Sequence, residues 1–226
     1  MSIGGHFNLL RYRTFYGILL NKKYPLITLG NRHNECAWNF HPDGLNAQSI
    51  VYSGGVGKDI SFEHALLKAY GCSVVLFDPS PTGMATMQLP ENQIPQFKFM
   101  PVGLAGSCKV LHLAPPKWEE EGSWFKHDES GDTIKVPCED LATVMKKNGH
   151  DHIDLLKIDI EGAEYELLDD LVKRRLPVKQ VLVEFHHGIL PGLKRSQSIR
   201  SILKMVGSGY KLLDQHGTNH VFLRPR

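Results

Sequence analysis

The chain has 226 residues, of which 42% are hydrophobic and 22% are charged, and its formal net charge is +2. This is an ordinary globular composition, and the length is sufficient for one α/β domain with a buried core. The weak charge and the absence of a long lysine and arginine run argue against a nucleic-acid partner. No apolar run approaches the ~20 residues that span a bilayer, and the start lacks a secretory signal pattern. We therefore expect a soluble, cytoplasmic protein.

The four cysteines do not point to a metal or redox site. They form no Cys-x-x-Cys pair, which disfavours a zinc site or a thioredoxin-like site. We expect free thiols in a reducing compartment.

From residue 50 onward, strand-like and helix-like segments alternate, which predicts a mostly parallel sheet with helices on both faces. The predicted strands of this sheet are residues 50–53, 74–77, 97–102, 153–158 and 181–185. The predicted helices are residues 60–70, 139–148, 163–174 and 198–206, with another beginning at Ser80-Pro81. Residues 210–213 and 220–223 flank Gly217-Thr218-Asn219 and predict an antiparallel hairpin that completes a seven-stranded sheet.

Two segments lie outside this alternation. Residues 106–137 contain two strand-like stretches, 109–113 and 133–136, around a polar loop, and we interpret them as an inserted hairpin or flap. Residues 1–48 form an N-terminal helical or cap segment, in which residues 7–20 are expected to pack over the core rather than lie on a membrane. With a core of residues 50–226, we predict one domain spanning residues 1–226.

A glycine-rich turn follows the first strand of the core, at Ser53-Gly54-Gly55-Val56-Gly57-Lys58-Asp59. Glycines let the backbone approach a ligand closely. The dinucleotide fingerprint needs a third glycine where Ile60 stands, and Asp59 places negative charge where a pyrophosphate would bind. The turn therefore disfavours NAD, whereas a sulfonium cofactor with a free α-amino group is compatible with the carboxylate.

Asp78 ends the second strand, about 20 residues beyond the glycine turn, and Pro79 follows it. An acidic residue at this position in Rossmann-like folds accepts hydrogen bonds from ribose hydroxyls. The structural alternative is a helix-capping or turn residue. Together, the turn and the acid favour a ligand that contains adenosine.

The third motif is Leu-Leu-Lys-Ile-Asp-Ile-Glu-Gly-Ala-Glu at residues 155–164. With the glycine turn at residues 53–62 and Phe77-Asp78-Pro79, it resembles the FkbM family of methyltransferases over roughly residues 50–187. The resemblance implies a Rossmann-like class I methyltransferase fold with S-adenosylmethionine as methyl donor. It also implies an oxygen acceptor on a sugar, a glycan or another small molecule.

The resemblance implies cofactor contacts by position. They come from Ser53, Gly54, Gly55, Gly57 and Asp59 around the methionine part, Asp78 and Pro79 at the ribose, Val102 and Gly103 at the adenine, and Asp159 near the methyl group. Ser53 replaces the acidic residue with which this loop begins in most methyltransferases. Asp59 or Asp159 is therefore our candidate for receiving the cofactor's amino group.

Four polar residues at the carboxyl ends of two neighbouring strands are the catalytic candidates: Asp159, Glu161, Glu184 and His186. Transfer to a hydroxyl needs a base, and either His186, with an ordinary pKa near 6.5, or Glu161 is expected to serve, with Glu184 orienting the imidazole. The alternative is a divalent metal, Mg or Mn, held by the same four residues. His187 points the other way and is expected to be structural.

Two further alternatives concern the whole chain. It is either an enzyme or a non-catalytic domain that binds S-adenosylmethionine or sugar within a larger glycan-assembly protein, and an NAD-dependent oxidoreductase is less favoured. The aromatic residues of the inserted segment form either a sugar-stacking platform or a lid over the core. These residues are Trp118, Trp124, Phe125 and His127.

Overall fold

The computed structural model describes residues 14–33, 36–115, 124–127, 133–190 and 192–225. Its strands are β1 (Ile27–Leu29), β2 (Trp38–Phe40), β3 (Ile50–Gly54), β4 (Ser73–Phe77), β5 (Phe97–Met100), β6 (Gly103–Leu104), β7 (Lys109–Ala114), β8 (Phe125–His127), β9 (Ile134–Glu139), β10 (Ile153–Ile158), β11 (Val178–Glu184), β12 (Lys211–His216) and β13 (Asn219–Leu223). Its helices are α1 (14–19), α2 (Ser61–Tyr70), α3 (Pro81–Met87), α4 (Leu141–Asn148), α5 (Glu164–Arg174) and α6 (Arg195–Gly207), with a short 3-10 turn at Pro90–Asn92.

Seven strands form the central sheet, in the order β12-β13-β11-β10-β3-β4-β5. The pairs from β11 through β5 are parallel, whereas β13 runs antiparallel to both β11 and β12. This confirms the predicted Rossmann-like class I methyltransferase fold with its closing hairpin. Strand order reverses between β3 and β10, and the crevice at such a switch point is where open α/β sheets bind ligands.

The sheet forms because its central strands are apolar on both faces. Leu156 and Ile158 of β10 pack into one buried cluster and Leu155 into another, so helices cover both sides. Helix ends follow the predicted signals: the Ser80 side chain accepts a hydrogen bond from the Gly83 amide, and Gly71 ends α2 in the left-handed conformation.

The inserted segment forms a separate four-stranded sheet, in the order β6-β9-β7-β8. The antiparallel β7–β9 pair matches the expected hairpin, but β6 and β8 were not predicted. The third core strand ends at Met100 rather than at Val102, because the Val102 amide turns back to the Met100 carbonyl (2.8 Å). Gly103 then pairs with β9, so the chain leaves the central sheet earlier than its sequence indicates.

The described part of the N-terminal segment contains α1 and an unpredicted β1–β2 hairpin. Tyr16 of α1 is buried in the core, and its hydroxyl donates to Nε2 of the fully buried His220 (2.7 Å). The Nδ1 of His220 donates to the Thr218 carbonyl, and burial lowers the pKa of this imidazole to about 4. The part of the predicted helix at residues 7–13 lies outside the described residues. Within the described ranges, no helix has the length and apolarity needed to cross a membrane.

We predict that Tyr16→Phe lowers the free energy of unfolding by about 1–2 kcal/mol, because it leaves the buried Nε2 of His220 without its donor. Ile18→Ala, on the same helix but 78% exposed, is the control and should change it by less than about 0.5 kcal/mol. Chemical denaturation measures both variants. Equal effects would mean that Tyr16 contributes no more than a surface position.

Candidate active site

The glycine turn between β3 and α2 is packed tightly on one side and open on the other. Gly55 has a φ of 86°, and a Cβ added to it would lie 1.9 Å from the carbonyl oxygen of Asp159. A Cβ added to Gly54 would lie 3.0 Å from the Leu104 side chain and 3.1 Å from the Ile160 side chain, a tight contact but a looser one than at Gly55. A Cβ added to Gly57, by contrast, would meet nothing within 4 Å. The first two glycines therefore serve close packing, whereas Gly57 borders free space.

A buried ion pair lies beneath this turn. The ammonium group of Lys157 donates to the Gly55 carbonyl (2.7 Å) and lies 3.6 Å from the Glu63 carboxylate, which also accepts from the Ser53 hydroxyl (2.5 Å). Burial alone would lower the pKa of Lys157, but the carboxylates of Glu63 and Asp159 outweigh it and raise that pKa. The buried Ser53 hydroxyl is therefore bonded to a side chain of the protein itself. The sequence did not identify its partner, Glu63 on α2.

Asp78 is buried at the end of β4, and its carboxylate holds the glycine turn in place. Its Oδ2 accepts from the amides of Val56 (2.9 Å) and Gly57 (3.1 Å), and its Oδ1 accepts from the amide of Ser80 (2.8 Å). Because each carboxylate oxygen has two acceptor positions, one on Oδ1 remains after these three bonds. Asp78 therefore has the structural role that was the alternative in the sequence analysis, and it also keeps an acceptor position for the expected ribose contact.

The remaining predicted cofactor residues are Asp59, Pro79, Val102 and Gly103, and each makes contacts within the protein. Asp59 accepts from the Ser61 amide at the start of α2 (2.7 Å) and from Asn31 (3.4 Å). A Cβ added to Gly103 would lie 2.5 Å from the Cys138 sulfur and 3.3 Å from the Pro79 ring. Val102 is half-buried against the core. Gly103 therefore packs closely against Cys138 and Pro79.

His186 lies at the centre of a group of carboxylates beyond β10 and β11. Its Nε2 lies 3.2 Å from Glu161 and 3.5 Å from Asp159, while its Nδ1 lies 3.3 Å from Glu164. Burial would lower the pKa of this imidazole, but hydrogen bonds to Asp159 and Glu164 and the nearby acids raise it to about 11. His186 is therefore an imidazolium at neutral pH. The sequence placed it beside Asp159 and Glu161 but did not identify Glu164.

Glu164 holds the His186 ring through its Nδ1. It is fully buried, and its carboxylate accepts from the amides of Gly162 (2.7 Å) and His186 (3.0 Å) as well as from Nδ1. Glu161, one residue earlier than Gly162, has a φ of 47°, a left-handed conformation that is strained for a side-chain-bearing residue. This turn directs the Glu161 carboxylate back towards His186.

Glu184 completes the predicted group. Its carboxylate accepts from the Thr218 hydroxyl of the closing hairpin (3.0 Å), and burial together with the charge of Asp159 raises its pKa. Within the described residues, Asp159, Glu184 and His186 offer ligand atoms that all lie within 4.8 Å of one another. The structure thus brings all four predicted catalytic residues to one place.

The surroundings of the turn fit an adenosine-containing sulfonium cofactor. Space is open above Gly57, Asp78 keeps one acceptor position, and Asp159 exposes about a third of its side chain at the adjoining strand end. Exposed carboxylate surface suits a ligand with a positive sulfonium and an ammonium group. Of the aromatic platform, Trp118 and the side chains of Phe125 and His127 lie outside the described residues, and Trp124 donates to Thr82 on α3 (3.2 Å).

We predict that Gly55→Ala destabilises the fold by at least about 3 kcal/mol, because its methyl group overlaps the backbone of Asp159 in an already left-handed conformation. Gly57→Ala, also left-handed but facing open space, should cost only about 1–2 kcal/mol. Thermal and urea unfolding compare the two. A Gly57 variant as unstable as the Gly55 variant would contradict the open geometry.

Comparison with known proteins identifies the family of this chain. The methyltransferase FkbM domain family matches residues 47–212. The human probable methyltransferase-like protein 24 is 26% identical over 173 residues, covering 75% of this chain and 41% of its own length. The chain thus spans about two fifths of that curated relative.

Solved structures are similar at low identity. An rRNA methylase from Streptococcus thermophilus has a TM-score of 0.46 at 10% identity, covering 80% of this chain and 90% of its own. A methyltransferase from Pyrococcus furiosus has a TM-score of 0.41 at 12% identity, with full coverage of both chains. The family match over residues 47–212 includes the glycine turn, Asp78 and the carboxylate group around His186. The chain belongs to the FkbM family of S-adenosylmethionine-dependent methyltransferases.

Proposed function

We propose that this protein is an O-methyltransferase that modifies a hydroxyl group of a sugar, glycan or related small acceptor. The observation that carries the proposal is the group formed by Asp159, Glu161, Glu184 and His186 at the strand ends beside the glycine turn. A hydroxyl is a weak nucleophile, and such a group supplies a proton acceptor at the switch point of the sheet. A neutral amine, by contrast, is nucleophilic without losing a proton first, so an amine acceptor would not need such a group of carboxylates.

In this proposal, the cofactor lies along the glycine turn. Gly57 borders its open space, the remaining acceptor position of Asp78 Oδ1 binds a ribose hydroxyl, and Asp159 receives the amino group. When bound, S-adenosylmethionine supplies an electrophilic methyl group on a sulfonium. Asp59 is the weaker candidate for the amino group because the Ser61 amide and Asn31 already use its oxygens.

The proton acceptor in this proposal is Glu161 rather than His186. An imidazolium whose pKa is about 11 holds its proton at neutral pH and cannot accept another. Glu161 is about one-fifth exposed, and the strained backbone at this residue orients its carboxylate. His186 then acts as a positioning residue that holds Glu161 and Asp159 through its Nε2, while Glu164 fixes the ring.

A divalent ion is the second arrangement that these side chains support. Asp159, Glu184 and His186 have compatible ligand atoms, and Glu164 on Nδ1 would orient a metal-bound imidazole. In the metal-free arrangement, the His186 imidazolium supplies the positive charge among these carboxylates, and in the metal arrangement the ion would supply it. A metal would have to displace that proton from His186.

We predict that calorimetric titration detects micromolar binding of S-adenosylhomocysteine and no binding of NAD. Asp78→Asn should weaken the affinity for S-adenosylhomocysteine about tenfold or more, because it removes a charged acceptor. Asp169→Asn, an exposed carboxylate on α5, is the matched control and should leave binding unchanged. Circular dichroism of the Asp78 variant checks its fold, since the same carboxylate supports the turn. Binding of NAD alone would exclude the proposed function.

We predict that Glu161→Gln lowers kcat by about 10²–10⁴-fold while affinity for S-adenosylhomocysteine stays within about threefold of wild type. The assay follows S-adenosylhomocysteine release with a mixed pool of monosaccharides and glycans. EDTA should leave the wild-type rate unchanged. Loss of activity in EDTA that manganese restores would support the metal arrangement instead. Binding of the cofactor product without turnover on any acceptor would favour the non-catalytic alternative.

A further inference from the structure

The backbone of Gly57 is bonded to a side chain at both of its polar atoms. Its amide donates to Oδ2 of Asp78 (3.1 Å), and its carbonyl accepts from the hydroxyl of Thr86 on α3 (2.6 Å). Gly57 is also the residue of the turn that borders open space, and a glycine has the widest choice of backbone angles. The two side chains therefore hold a residue with wide conformational freedom in one conformation.

One face of α3 supplies this support. Gly83 and Thr86 are three residues apart and so lie on the same side of the helix. A Cβ added to Gly83 would lie 2.3 Å from the carboxylate carbon of Asp78, so the helix packs directly on this acid. The hydroxyl of Thr86 reaches the carbonyl of Gly57 from the same face. This face of α3 therefore supports both the acid and the turn.

Thr86 is itself held in place by Asn92. Both residues are buried, and Nδ2 of Asn92, in the 3-10 turn after α3, donates to the Thr86 carbonyl (2.8 Å). Oδ1 of Asn92 lies 2.7 Å from Nε2 of His64 on α2, so this ring nitrogen carries the proton and donates. The His64 ring lies edge-on against Phe97 of β5, with the ring centroids 4.9 Å apart. A β-branched residue has few side-chain rotamers, which further fixes the Thr86 hydroxyl.

These hydrogen bonds form a path that begins and ends in neighbouring segments. The path leaves the turn at Gly57, passes through Thr86 and Asn92, and returns to His64 on the helix that directly follows the turn. Thr86 and Asn92 are buried, so breaking one of these bonds would leave a polar group without a partner. The path therefore fixes the turn relative to α2 before any ligand binds. A site that is already ordered loses less entropy on binding, and its affinity is higher for that reason.

We propose that Thr86 is a positioning residue for the cofactor, acting through the Gly57 carbonyl, and that Asn92 and His64 support it. The proposal rests on the proposed function, which places the cofactor along the glycine turn. Thr86 bonds to this turn and is not part of the carboxylate group, so it acts on the affinity for the cofactor rather than on proton removal from the acceptor.

Calorimetric titration with S-adenosylhomocysteine tests this role. Thr86→Val is similar in size but lacks the hydroxyl donor, and it should weaken the affinity about tenfold. Thr86→Ser retains the donor and should remain within about threefold of wild type. Failure of Thr86→Ser to restore the affinity would show that packing of the threonine methyl group, rather than its hydrogen bond, matters, and would overturn the proposal.

Tyr210→Phe is the matched control for a purely structural effect. The buried hydroxyl of Tyr210 donates to the Val178 carbonyl over the same distance, 2.6 Å, at the start of β11 and so at the opposite end of the sheet from the site. Each variant removes one buried hydroxyl–carbonyl bond, and urea unfolding should show similar losses of stability. Only Thr86→Val should lose affinity. An unchanged affinity in Thr86→Val, or an equal loss in both variants, overturns the proposal.

A double-mutant cycle tests whether Asn92 acts through Thr86. Asn92→Ala alone should weaken the affinity for S-adenosylhomocysteine severalfold, whereas adding it to Thr86→Val should cause less than about a twofold further loss. Independent, multiplicative losses would overturn the path from Asn92 to the turn. If Asn92→Ala does not fold, His64→Leu replaces it in the cycle, because it removes the donor at the far end of the path and leaves the bonds of Thr86 intact.

This proposal and the proposed function fail separately. The wild-type titration is made first, and a wild-type protein that does not bind S-adenosylhomocysteine refutes the proposed function itself. Binding by wild type with an unaltered affinity in Thr86→Val refutes only the role of Thr86.

Discussion

The buried ammonium group of Lys157 lies where four segments of the chain meet. It extends from β10, donates to the Gly55 carbonyl of the glycine turn, pairs with Glu63 of α2 and lies 5.6 Å from the ring centre of Trp38 in the N-terminal hairpin. Removing one partner of a buried ion pair leaves an uncompensated charge, which costs about 3–5 kcal/mol. The turn is therefore fixed by an interaction on the protein side, and its other side is left for a ligand. The same face of β10 continues to Asp159, so the element that supports the turn also delivers the first acid of the site.

The second constraint is the charge balance around His186. Carboxylates repel one another, and an excess of them is tolerated at a half-buried site only where a cation lies between them. The imidazolium meets this need for Asp159, Glu161 and Glu164 at once. Its own proton is retained for the same reason, which supports the proposed role of His186 as a residue that positions its neighbours. The strained backbone of Glu161 is compensated by the contact that it allows with this ring.

Much of this arrangement was predictable from residue patterns. Apolar runs and end signals such as Ser80 and Gly71 predicted the central strands and helices, since burial and capping are local consequences of sequence. Strands of two or three residues, such as β6 and β1, are too short for any periodicity to indicate them. The four catalytic candidates were predicted by their places at strand ends. Their protonation was not, because the state of His186 depends on Glu164, whose carboxylate reaches it only through the turn after β10.

The charges around the glycine turn also decide which class of cofactor is compatible with it. Beside the turn, carboxylates outnumber cations, which favours a ligand with a sulfonium and an ammonium group. A ligand with a pyrophosphate at the same place would be repelled by the carboxylates of Asp78 and Asp159, one at the end of β4 and the other at the end of β10. The same two acids that favour the proposed cofactor therefore oppose a dinucleotide, and this repulsion acts independently of the missing third glycine.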